Sequence, residues 1–139
     1  MATDKSKWPD GPWKTEPDEE RWADEETGLH CAIFRNGIGS LCGYVGIPES
    51  HPLHGMDCDK CHDLHDISVH GGLTFSDVIV DSPEGLHWLG FDCAHYGDYS
   101  PTYPSEFSTC GKSQYRNIDY VRNECRSLAK RLSVIGAEK

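Results

Sequence analysis

Residues 29–48, LHCAIFRNGIGSLCGYVGIP, constrain the fold more than any other stretch. Two apolar runs flank Asn36-Gly37, a dipeptide suited to a type I′ hairpin because both central residues need positive φ. The pattern predicts strands near 29–35 and 40–47, antiparallel and joined at Asn36-Gly37. The second constraint lies at the other end of the chain. Ile118, Val121, Cys125, Leu128 and Leu132 recur at steps of three and four, giving one apolar stripe along a helix. Asn117 is placed as its N-cap with Asp119 in the first turn, and Lys130 and Arg131 are expected in the last turn before Gly136, matching the helix dipole.

Further strands fill in between. ISVHGGLTF, residues 67–75, alternates: Ile67, Val69, Leu73 and Phe75 share one parity, and Gly71-Gly72 is expected to bend or bulge the strand. DVIVD and LHWLGFD flank Ser82-Pro83-Glu84-Gly85 and read as a second hairpin. Residues 49–66 and 93–114 read as long loops, which in compact domains are usually functional or tethered. A short helix over EPDEERWADEE is the reading for residues 16–26, with Trp13 and Trp22 packing against the domain. The expected architecture is α+β: an antiparallel sheet of four to six strands built from hairpins, with one C-terminal amphipathic helix packed on it. Residues 1–12 are expected to be loose and residues 13–135 to form a single globular domain.

Charge narrows the partners. The chain carries −10, unevenly placed. Residues 49–106 hold eleven acids against the single base Lys60, while residues 107–139 hold seven bases and three acids. A middle segment so poor in Lys and Arg repels phosphate backbones and anionic membranes, so neither nucleic acid nor a membrane is an expected partner. It favours cations or a basic protein surface, and it also confers solubility. Arg122, Arg126 and Lys130 form an i, i+4 row that reads as a solvated helix face or as a holder of phosphate or an acidic partner. No run of apolar residues approaches a membrane span, and MATDKSKWPD lacks the apolar core of a secretory signal, so a cytosolic setting is expected. Seven cysteines in that setting do not describe a disulfide framework.

Two groups of residues could carry chemistry. Cys58 and Cys61, spaced C-x-x-C, could hold one structural Zn(2+) with ligands drawn from His54, His62, His65 and His70, named here chiefly as His62 and His65. They could equally be packed thiols. Cys58 to His62 also fits the haem-attachment pattern C-x-x-C-H, but that attachment needs an exported chain, so haem is not expected. A thioredoxin-like redox pair would need a strand before it and a helix after it, whereas this motif reads as part of a polar loop, so a redox pair is not expected. The second group joins His51, His54, His70, Gly71, Gly72, Asp92, Cys93, His95 and Asp98. Gly71-Gly72 could offer backbone N–H groups to an anion. The side chains could bind a polar small molecule, hold a metal, or pair a Cys93 nucleophile with His95 or His70 as base. They could also simply tie loops together by hydrogen bonds. The functional readings require the loops after Pro48 and after Phe91 to fold beside His70 into a shared hollow.

The strings GPWKTEPD, C-x-I-x-RNG, LCGYVGIP-x2-HPLHG, VHGGLTF, GFDCAHYGD and YRNIDYVRNEC together resemble a family of small proteins of tailed bacteriophages and prophages. The similarity runs from Gly11 to Leu132. It implies a phage accessory protein working in the bacterial host cytoplasm, with its polar motif positions on His51, His54, His70, Asp92, Cys93, His95 and Asp98. Relatives commonly lack Cys58 and Cys61, which would make zinc there a local addition. Two functions follow as expectations. One is a binding protein of phage–host conflict that captures a small polar or nucleotide-like ligand or masks a host protein. Phosphates would then meet Gly71-Gly72 or the C-terminal basic row, in one chain or across a homo-oligomer. The other is a metal-dependent hydrolase or nucleotide-modifying enzyme, with His70, Asp92 and His95 as ligands and His54 or Asp98 as general base.

Overall fold

The computed structural model describes residues 5–6, 11–36, 39–65, 67–79, 82–93 and 115–137. Its elements are β1 (Glu19–Ala23), β2 (His30–Arg35), β3 (Leu41–Ile47), α1 (Cys58–Leu64), β4 (Phe75–Asp77), β5 (His87–Asp92) and α2 (Ile118–Ala137), preceded by one 3-10 turn at Pro12–Lys14. The five strands form one antiparallel sheet in the order β1-β2-β3-β5-β4. With α2 across one face, the protein is the expected α+β fold.

The β2–β3 hairpin forms, but its connection is not a two-residue turn. Arg35 pairs with Leu41, so five positions separate the paired strands, and the connection is tied by Asn36 N to Ser40 O (2.8 Å) and by Ser40 N to Asn36 Oδ1 (3.0 Å), Gly37 itself lying outside the described residues. The reason is parity. A turn closed on Asn36-Gly37 alone would place Ser40 and Tyr44 on the face that now carries Leu41, Val45 and Ile47, all fully buried. Core burial outweighs local turn preference.

Three other expectations are corrected. Residues 16–26 hold a strand, not a helix: β1 pairs along its whole length with β2, and Trp22 packs partly buried against the core. Sheet pairing overrides the acid-first helix pattern. Residues 49–66 are not all loop, since Asp57 caps α1 by accepting from Lys60 N at 2.8 Å. Residues 67–74 are not strand. Gly71 and Gly72 both take positive φ (68° and 80°), which ends any extended run, so only residues 75–77 join the sheet. Ile67 and Leu73 are nonetheless buried, as their parity suggested.

α2 starts at the expected cap, Asn117 Oδ1 accepting from Tyr120 N at 2.9 Å. It continues to Ala137, so Lys130 and Arg131 fall short of its last turn, which holds no base. Val121, Cys125, Leu128, Ala129, Leu132 and Ile135 are buried against the sheet, each of the larger ones contributing about 2 kcal/mol. The helix lies close because β3 has a glycine beneath it: a Cβ on Gly43 would sit 2.5 Å from Phe91 Cζ and 2.8 Å from Cys125 Sγ.

Opposite charges join the two ends of this core. Arg122 grips both carboxylate oxygens of Glu20 at 2.7 Å, and Arg126 donates to Asn123 Oδ1, so the basic row is engaged within the chain. Deeper in, the Arg35 side chain is fully buried. It donates to Asp18 (2.6 Å), Glu16 (3.2 Å), Gly39 O (2.8 Å) and Tyr115 OH (2.8 Å). Burial alone would lower its pKa, but the hydrogen bonds to Tyr115 and Asp18 outweigh it and the net shift is upward. Glu16 also accepts from Ile118 N at 2.8 Å, satisfying one of the unpaired N–H groups that open α2. Trp13 is buried and meets Tyr115 edge-on, with ring centroids 5.0 Å apart.

Candidate functional site

The C-x-x-C pair sits on α1. Cys58 is half-buried and Cys61 fully buried, its Sγ 3.9 Å from Met56 O. Burial is the main cause that raises both thiols, Cys61 to about 11, with the neighbouring Cys58 and Asp57 adding to it. These are neutral thiols at pH 7. His62 Nε2 accepts from Leu73 N at 3.1 Å, turning that nitrogen toward residues 72–73, while the backbone N–H of His65 closes α1 on Cys61 O. Among the described residues, no three or more His, Cys, Asp or Glu side chains are disposed to hold a metal ion.

The second predicted group divides in two. His51 is buried: its Nδ1 accepts from Leu53 N (3.1 Å), so its Nε2 carries the proton and donates to Leu132 O (2.7 Å). His54 Nε2 meets Gly85 O at 2.8 Å, and its ring lies 5.4 Å from that of His87. His87 is bonded to Ser76 Oγ at 2.7 Å, and its pKa is lowered, first by burial and then by His54. At the other end, His70 Nδ1 meets Tyr120 OH (2.7 Å) and His70 N donates to Glu124 (2.8 Å). Asp92 accepts from Thr74 Oγ1 (3.2 Å), Cys93 is buried with its N–H on Leu41 O, and Gly72 N–H is taken by Val69 O.

Leu132 and Tyr120 are twelve residues apart on α2, about 18 Å along its axis. The beginning of β5, near His54, and Asp92 at its end are about 17 Å apart. Among the described residues, His51 and His54 therefore stand apart from His70 and Asp92; each pair fastens a different loop. His95 and Asp98 lie outside the described residues.

A different site lies on the face of the sheet that α2 leaves open. The pairing register aligns three rows across the strands there. They run Glu19–Phe34–Cys42–Asp92, Arg21–Ala32–Tyr44–Gly90–Phe75 and Ala23–His30–Gly46–Trp88–Asp77. In the middle row small residues alternate with large ones. A Cβ on Gly90 would meet Tyr44 Cδ1 at 2.4 Å, so the glycine is what lets the Tyr44 ring lie across β5. Phe34, Tyr44 and Phe75 stay half-buried, with centroids 5.6 Å and 5.1 Å apart in tilted and edge-to-face contact. With Arg21, Val78 and Ile79 they line a cleft of about 370 Å³. The Arg21 guanidinium lies 5.1 Å from the Phe34 centroid and pairs with Glu19 at 3.0 Å. Both side chains are exposed, so that pair is weak and exchangeable.

Sequence reasoning passed over these residues because it followed the core parity. The signal was present on the other parity: Phe34, Tyr44 and Trp88 stand where a half-solvated strand normally carries polar side chains. The chain matches no protein-family model, no curated protein and no solved structure.

Proposed function

We propose that this protein acts by binding, taking a small planar polar ligand of the nucleobase type into the open-face cleft. The setting is the phage–host conflict that its sequence resemblance implies. One observation carries the reading. Three half-buried aromatic rings surround a cleft large enough for a heteroaromatic ring, beside a guanidinium whose own ion pair is exposed. Ring stacking of this kind contributes about 1–3 kcal/mol per base.

The ligand's phosphates, if it carries them, have little to meet. Arg122 is held by Glu20, and the Gly72 N–H is bonded within its own loop. A base or nucleoside therefore suits the cleft better than a polyphosphate. Masking of a basic host protein would draw on the acidic surface instead, and the hydrolase reading draws no support from His54 and His70, whose rings serve hydrogen bonds within the chain. No helix among the described residues is long and apolar enough to cross a membrane.

Isothermal titration of the full chain with the four common nucleosides tests the proposal. At least one is expected to bind, and Tyr44→Ala should weaken it tenfold or more while the fold persists. Equal affinity in Tyr44→Ala and the parent protein would overturn the reading.

A further inference from the structure

Trp88 is 3% exposed, and its Nε1–H is a buried donor with no hydrogen-bond partner. A donor left so costs stability, and native proteins rarely retain one without a use. Trp88 stands in the row next to Tyr44, two residues along the strands and about 7 Å away. It lines a second cleft of about 280 Å³ with Arg21, Ala23, His30 and Pro83. Arg21 borders both clefts. One cleft thus offers aromatic faces, and the other is lined by Arg21, His30 and Trp88, whose own N–H is covered in the free protein.

Resting on the reading above, we infer that the Trp88 cleft is the polar half of the same site and receives an acceptor oxygen borne by the planar ligand. That oxygen is a ring carbonyl or a carboxylate. The ring stacks among Phe34, Tyr44 and Phe75, and the oxygen takes the Trp88 Nε1–H with Arg21 beside it. Selectivity follows from the desolvated donor: a ring lacking the oxygen leaves it unpaired and gains only the stacking.

The test is a proton–nitrogen NMR titration of the full chain with uracil (neutral carbonyls), benzoate (a carboxylate) and indole (no acceptor oxygen). The Trp88 indole signal is assigned by its loss in Trp88→Phe. Uracil or benzoate should move that signal downfield, and whichever does so identifies the oxygen. Indole should move only the Phe34–Tyr44–Phe75 end. Trp88→Phe should weaken the oxygen-bearing probe about three- to tenfold and leave indole unchanged. Arg21→Met, which keeps the stem over Phe34, should weaken benzoate more than uracil. If Trp88→Phe does not fold, the parent protein's indole shift and Arg21→Met decide. An unmoved Trp88 signal, with uracil, benzoate and indole all bound at the aromatic end, overturns the polar subsite and leaves the aromatic cleft standing. If none of the three probes binds, the cleft reading falls and the subsite with it.

Discussion

On the face that α2 covers, Ile33, Leu41, Val45, Leu89 and Phe91 are no more than 1% exposed, whereas across the sheet Phe34, Tyr44 and Phe75 remain half-buried. Each face has a glycine that admits a close neighbour. Gly43 lets the helix approach, and Gly90 makes room for the Tyr44 ring. Polar groups differ in the same way. Arg35, at the rim of the covered face, spends its donors on partners from three segments of the chain, while Trp88 on the open face keeps one unspent. One side is a completed interior; the other is organised like an interior but, among the described residues, has no layer packed over it.

That contrast can be broken at several points. The largest effect is expected at Arg35. Arg35→Met leaves Glu16 partly buried without its cation, leaves Asp18 with Lys5 (2.8 Å), and should cost about 3–5 kcal/mol in urea unfolding. A loss below about 1 kcal/mol would mean the network is not the closed unit described. Next come paired truncations: Leu128→Ala on the covered face should cost about 2–5 kcal/mol, and Phe75→Ala on the open face about 1 kcal/mol. Equal costs would abolish the distinction between the faces.

Acidification probes the His54–His87 end. The folded pKa of His87 lies below its ordinary value of 6.5, so the unfolded chain takes up the proton first. Its contribution to stability is complete above pH 6.5 and is lost as pH falls from there through the folded pKa, at no more than about 1.4 kcal/mol per pH unit. His87→Gln should flatten the stability profile between pH 7 and 5.5; an unchanged profile would assign the slope to other groups. The smallest effect is reserved for Trp88→Phe. Removing an unsatisfied donor offsets the lost contact area, so unfolding free energy should change by less than about 1 kcal/mol. A loss above about 2 kcal/mol would show that the indole N–H has a partner in the free protein.

Much of the fold was legible in the sequence. The step pattern from Ile118 to Leu132, the cap at Asn117 and the apolar parity of residues 29–47 each follow from local geometry, and all three appear. What failed depended on distant partners. Residues 16–26 look helical alone, yet β2 offers β1 five paired positions, and Glu20 finds its cation 102 residues away. The candidate site was less legible still. His51 and His70 carry the residue type of a site, but which loop each fastens depends on where α2 runs, and that is not written in spacing. Tyr44 looked like an ordinary strand residue until the register set it over Gly90.

Glu16 touches the first peptide N–H of α2 and the Arg35 network together, so a segment ahead of β1 and the last helix complete each other. During synthesis, residues 30–93 emerge long before residue 137 has left the ribosome. Until then the strands have no lid, and Ile33, Val45 and Leu89 face water or whatever else is at hand. The nascent sheet is thus adhesive for as long as translation of the last quarter takes, and slower elongation there should raise its demand for holdase chaperones.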